Sequence, residues 1–236
     1  MKLIIVGATG FVAQELIRQC LPNPDIMSIV AVARRPIPNP VGANADKVKS
    51  VLVADFDNYS EEVKKEFAGA DACIWTVAVT PTKAKEMPFE EVRRVCHTST
   101  LVGLRALHDA GLARSFRFIY MSGFAAERDQ SKKPHMMASY ILMRGETENA
   151  VLAFAAEHSD EGFEVCVVKP GAITHDAESL EKAKQLRVTM GIDIPNIDVE
   201  EISAAMLQQV VHGIEKEPLM NDDLAIIGRK VLERKV

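Results

Sequence analysis

The chain has 236 residues, 47% hydrophobic and 26% charged, a composition near the globular average and a length that buries a full core without staples. Its net charge of -5 carries no cluster of Lys and Arg of the kind that nucleic acid or an anionic membrane surface requires. No stretch approaches the ~20 apolar residues of a membrane span, and Met1–Val6 is too short for a secretory leader, so a soluble, cytosolic protein with one domain over residues 1–236 is expected.

Short apolar runs alternate with helical patterns along the chain. The runs are Leu3 to Val6, Ser28 to Ala33, Val51 to Ala54, Ala72 to Thr76, Phe116 to Met121 and Glu164 to Val168. Continuous apolar runs are what strands covered on both faces look like, and their alternation with helices predicts an α/β fold with a doubly wound parallel sheet. Helices are expected over Gly10–Leu21, Ser60–Ala68, Glu90–Ala110, Ser139–His158 and Val199–Glu215. A late strand is read at Leu224 to Ile227, and residues from about 172 to 220 suffice for a small substrate-side lid, not a second domain. Cys20, Cys73, Cys96 and Cys166 lack paired spacing and read as buried thiols, and no His, Asp or Glu cluster has metal spacing, so no catalytic metal is expected.

The first strand runs directly into Gly7-Ala8-Thr9-Gly10-Phe11-Val12-Ala13. A strand, a tight turn and a helix start turn backbone N–H groups and the positive end of the helix dipole toward a diphosphate. Gly7 permits the turn, Gly10 permits close approach, and Ala13 lets the helix pack on the strand. Where a carboxylate would hold the ribose 2′-hydroxyl of NAD, the second strand ends in Arg34-Arg35. A guanidinium pairs bidentately with a 2′-phosphate and stacks on adenine, so Arg34, supported by Arg35, specifies NADP(H). Asp55, with Phe56 beside it, follows the third strand and is placed to accept the adenine amino group, whereas Asp57 reads as solvated. Thr76 and Val77 end the fourth strand, where the backbone passes the adenosine ribose and diphosphate.

The fifth strand ends at Ser122-Gly123, and Tyr140 and Arg144 share a face of the helix that follows. A phenol beside a cation and a serine hydroxyl can protonate a carbonyl oxygen, the cation favouring the phenolate. His97, His135 and His175 are further candidates for the pocket wall, His135 for its place just before Tyr140.

These residues, with Gly145-Glu146-Thr147-Glu148 and Lys169-Pro170-Gly171, resemble an atypical, NmrA-like short-chain dehydrogenase/reductase with a Rossmann fold. The resemblance spans most of the chain. It implies that Ser122 and Tyr140 belong to the active site, and that Pro170, with Gly171 and Ile173, borders the nicotinamide. The family's lysine is Arg144 here, which keeps the charge and contacts the nicotinamide ribose but, unlike lysine, does not deprotonate. The expected activity is NADPH-dependent reduction of a carbonyl in a small, fairly apolar molecule. A non-redox isomerase or cyclase with a structural cofactor, and a non-catalytic sensor of NADP(H), stay open, as do a monomer and a homodimer.

Overall fold

A computed structural model describes residues 1–190 and 193–234, the side chains of 186–190 excepted. The chain opens with β1 (Lys2–Val6), α1 (Phe11–Cys20), β2 (Ser28–Ala33), β3 (Val48–Leu52), α2 (Glu61–Phe67) and β4 (Ala72–Trp75). Then come the short helices α3 (Pro81–Ala84) and α4 (Phe89–Arg93), the long helix α5 (Ser99–Asp109), β5 (Arg117–Met121), α6 (Ala138–Glu157) and β6 (Glu164–Lys169). The remainder is β7 (Ala172–Thr174), α7 (Ala177–Met190), β8 (Asn196–Asp198), α8 (Val199–His212), β9 (Leu219–Met220) and α9 (Asn221–Glu233).

Seven strands form one parallel sheet in the order β3-β2-β1-β4-β5-β6-β9, so the fold is the expected doubly wound one in a single domain. Ile4 is in register with Val30 on one side and Cys73 on the other. The chain runs outward from β1 to β3 and then crosses back to β4, so the strand order reverses between β1 and β4. In doubly wound sheets this reversal point is where a ligand crevice forms, beyond the carboxyl ends of the strands. The apolar runs are continuous because each face of the sheet has its own core. Leu3 and Ile5 pack with α1 and α8, and Ile4 and Val6 pack with α5 and the aromatic cluster around Trp75 and Phe118.

Three sequence expectations are corrected. The third strand is Val48–Leu52, not Val51–Ala54. It is the edge strand, with Lys49, Ser50 and Leu52 exposed, so its run of apolar residues does not mark its span. Leu224 to Ile227 lies inside α9, whose first turn is built by Asp223 accepting the backbone N–H of Met220; the last strand is the short Leu219–Met220 instead. The helix expected over Glu90–Ala110 is interrupted by a π-helical turn, Arg94–Thr98, between α4 and α5. Within residues 172–220, β7 and β8 pair as a separate two-stranded sheet. Positions 191–192 of that stretch, and 235–236 of the expected domain, lie outside the described residues.

Candidate functional site

The glycine loop is pinned at the crevice. Gly7 and Ala8 both donate their N–H to the carbonyl of Val32, which ties the loop to β2. Gly7 has φ +91°, and a Cβ there would stand 2.5 Å from Thr76 Oγ1. The Thr76 hydroxyl donates to the Val6 carbonyl at 2.8 Å and locks β4 to β1 at the reversal point. Gln14 donates from its side chain to the carbonyl of Ala8 and braces the turn. Gly10 caps α1 without any side chain, so the first-turn N–H groups beside Thr9, Phe11 and Val12 are not taken by a side-chain cap. That arrangement fits a diphosphate. Thr9, Gly10 and Phe11 are exposed, Val12 is buried, and the ring of Phe11 meets that of His175 edge-on at 4.7 Å.

At the adenosine end Arg34 and Arg35 are exposed, and the Arg34 guanidinium lies 5.9 Å from the centroid of the buried Phe56 ring. Asp55 does not stand alone there: Arg94 donates to it at 3.2 Å and to Asp57 at 2.6 Å. Asp57 is therefore a tethered group, not a solvated one, and it also accepts from Ser99. Glu91 grips the other edge of the Arg94 guanidinium with both oxygens. Arg94 was not foreseen; its partners lie up to 39 residues away, and only the basic residue one turn beyond Glu91 hinted at it.

At the other end a cavity of about 250 Å³ opens beside the carboxyl ends of β5 and β6. Ser122, Tyr140, Arg144, Pro170, Gly171 and Ile173 all line it, together with Val79 and the apolar Phe124. The cavity thus gathers the residues expected at the chemical end of the site. Val77 sits in the buried strand-end segment leading to it. The three histidines contribute nothing to its wall among the described residues: His135 is exposed, His97 bonds Thr147 Oγ1 at 3.1 Å, and His175 pairs with Asp176.

The hydroxyl protons here are committed. Ser122 Oγ donates to Glu148 Oε1, and Tyr140 Oη donates to the Val79 carbonyl at 2.8 Å. Arg144, only 3% exposed, donates from Nη2 to the Met121 carbonyl at 2.8 Å and lies 5.2 Å from the Tyr120 ring centroid. Its second arm, Nη1, is buried with no hydrogen-bond partner among the described residues. The expectation that the cation favours a phenolate at Tyr140 is corrected: burial pushes the phenol above its usual value, and Arg144 only partly opposes that.

Behind Ser122 lies a feature absent from the sequence reading. Glu148 is wholly buried and accepts from Arg128 Nε at 2.7 Å and Lys169 Nζ at 3.2 Å as well as from Ser122. Arg128 reaches on to Glu217 with both terminal nitrogens. Lys169 is therefore occupied by Glu148 and the Ala126 carbonyl and does not replace the missing family lysine.

A family model described as NAD(P)H-binding matches residues 7–210. The chain belongs to this NAD(P)H-binding family. The match begins at the glycine loop and runs into α8, and the family agrees with the short-chain dehydrogenase/reductase resemblance. The chain is 24% identical over 239 residues to "Protein FMP52, mitochondrial" of Candida albicans, covering 97% of this chain and 95% of that protein. Among solved structures it is similar to MoeE5 in complex with UDP-glucuronic acid and NAD (TM-score 0.68, 16% identity, 93% and 75% of the two chains covered). It is likewise similar to vestitone reductase from alfalfa (TM-score 0.67, 18% identity, 93% and 76% covered). The fold is thus that of NAD(P)-binding reductases and dehydrogenases. The expectation of a cytosolic protein is overturned: relatives from Candida albicans, Debaryomyces hansenii, Saccharomyces cerevisiae and Aspergillus fumigatus are all named mitochondrial. That expectation rested on the lack of a secretory leader and a membrane span, and neither bears on entry into an organelle.

Proposed function

We propose that the protein is an NADP(H)-dependent reductase of a small, fairly apolar carbonyl compound. The observation that carries this reading is the convergence of Ser122, Tyr140 and Arg144 on one apolar-walled cavity beside the crevice of a dinucleotide fold. Arg34 over Phe56 supports the 2′-phosphate form of the cofactor at the opposite end. A nicotinamide, when bound, supplies hydride to the carbonyl carbon.

The chain's own residues supply the rest. Arg144, which lines the cavity, sets its positive charge beside the carbonyl oxygen and stabilises the charge that builds on it. Tyr140 holds the matching proton at Oη and passes it to that oxygen once its bond to the Val79 carbonyl gives way. The phenolate left behind is stabilised by the Arg144 charge one turn away, and solvent then returns the proton. Ser122, with its proton on Glu148, offers lone pairs only and orients a hydroxyl or other donor of the ligand.

A second reading, a protein that binds the dinucleotide and does not turn it over, is favoured by the same donor inventory. Both hydroxyl protons are given to the protein, and the cation is not a lysine. Consumption of NADPH with a panel of aldehydes, ketones and quinones separates the two. The reductase reading expects turnover that Tyr140→Phe abolishes. Tight NADPH binding with no consumption across the panel, or a Tyr140→Phe variant as active as the parent, refutes it.

A further inference from the structure

Far from the cavity, the carboxyl ends of two helices converge. Helices of a parallel α/β sheet run against the strands, so the last turns of α5 and α6 lie at the sheet edge opposite the dinucleotide crevice. His108 occupies the last turn of α5, and His158 caps α6. Directly after it a single 3-10 turn, Ser159–Glu161, closed by the N–H of Glu161 on the His158 carbonyl, swings Glu161 back over both rings. Glu161 Oε2 stands 3.1 Å from His108 Nε2, and Oε1 stands 2.9 Å from His158 Nδ1. One ligand atom from each of the three residues lies within 4.8 Å of the others.

We propose that His108, His158 and Glu161 bind a divalent first-row metal ion of the zinc type. The donor set is two imidazole nitrogens and one carboxylate oxygen, which suits zinc and its neighbours and not the all-oxygen shells of calcium or magnesium. Donors that share a tetrahedral ion at about 2.1 Å stand about 3.4 Å apart, so the two Glu161 contacts open by a few tenths of an ångström as the ion replaces the imidazole protons, and donor atoms now up to 4.8 Å apart draw in around it. The rings are held in place: their centroids are 4.1 Å apart, and Phe154 packs against both, at 5.5 Å from His108 and 4.4 Å from His158. Two helix carboxyl ends add negative potential at the same point. Asp109 stands 3.9 Å from His108 Nδ1, the ring nitrogen that does not face Glu161, where a carboxylate raises the basicity of a ligand imidazole. A neighbouring cavity of about 310 Å³, lined by His108, Asp160, Glu161 and Arg114, has room for water in the remaining positions. Only His158 and Glu161 are close in sequence; the third ligand arrives from 50 residues earlier, so no motif announces the site.

Calorimetric titration of the full chain with zinc chloride tests the assignment without reference to any enzymatic activity. One ion per chain is expected, and His108→Ala and His158→Ala are each expected to weaken it about tenfold or more, while the exposed His212→Ala leaves it unchanged. Cobalt(II) titration is expected to give visible absorption bands of a nitrogen- and oxygen-ligated ion, lost in the same variants. Should an alanine variant fail to fold by circular dichroism, His158→Asn and Glu161→Gln replace it, with the same loss expected. No saturable zinc binding, or binding undiminished in the ligand variants, overturns the proposal.

Discussion

Replacing Glu148 by alanine tests whether the ion network behind Ser122 holds the molecule together. Glu148 is fully buried and joins three donors, Ser122, Arg128 and Lys169. Removing one member of a buried ion pair costs about 3–5 kcal/mol because the remaining charge stays desolvated. Lys169 bears that cost here, since its side chain is only 8% accessible and would keep just the Ala126 carbonyl. Arg128 retains Glu217, so the low end of the range applies and a loss of about 3 kcal/mol is expected. Urea denaturation followed by the fluorescence of Trp75, the sole tryptophan and wholly buried, reads that loss as a lower midpoint. Lys169→Met provides the second edge of a double-mutant cycle. The pair should be strongly non-additive, because removing the lysine relieves most of what removing the glutamate costs. A loss below about 1 kcal/mol for Glu148→Ala, or strict additivity with Lys169→Met, refutes the network as a structural element.

Three further outcomes follow from single contacts. Arg34→Ala is expected to weaken NADPH binding far more than NADH binding, measured by titration of cofactor fluorescence, and equal losses would remove the 2′-phosphate argument. Gly145→Ala would place a Cβ 1.6 Å from the Glu127 carbonyl oxygen, so α6 must move off that loop; a loss of about 3 kcal/mol in the same urea assay is expected. Burial holds the His97 imidazole below its usual value of 6.5, Arg93 adding to the effect and Glu146 opposing it. The unfolded chain then takes up the proton first, so stability is full above 6.5 and falls as pH drops through the lower folded value. Comparing urea midpoints at about pH 7.5 and about pH 5.5, His97→Gln should flatten this decline.

How much of this was legible follows from the range over which each feature is encoded. The glycine loop, Ser122, and Tyr140 with Arg144 are each written within a few residues; the structure places the loop at the carboxyl end of β1 and gathers the other three on one cavity. The central strands were legible because both their faces are buried. The edge strand was not, since Lys49 and Ser50 face solvent, and α9 was misread because Leu224 and Ala225 are buried while Ile226 beside them is 63% exposed. The partners that fix the site, Arg94 with Asp55 and Asp57, and Glu148 with Arg128 and Lys169, are joined only by the fold, at separations of 20 residues or more. Periodicity also gave no sign of the π turn at Arg94–Thr98, which places Cys96 Sγ against the N–H of Val79, next to the carbonyl that Tyr140 holds.

The substitution of arginine for the family lysine changes meaning once these contacts are known. A lysine offers one compact ammonium that both contacts the ribose and passes a proton. Arg144 spends Nη2 on the Met121 carbonyl at the end of β5, and its guanidinium carbon lies 5.2 Å from the Tyr120 ring centroid. This anchoring fixes the guanidinium at the wall of the cavity and leaves Nη1 buried with no hydrogen-bond partner among the described residues, so the charge is preorganised there. A proton relay through position 144 is closed, because a guanidinium does not deprotonate in a protein. In the proposed reductase the proton comes from Tyr140, so its bond to the Val79 carbonyl must open before a carbonyl oxygen is protonated, and a variant that weakens that bond is expected to raise turnover.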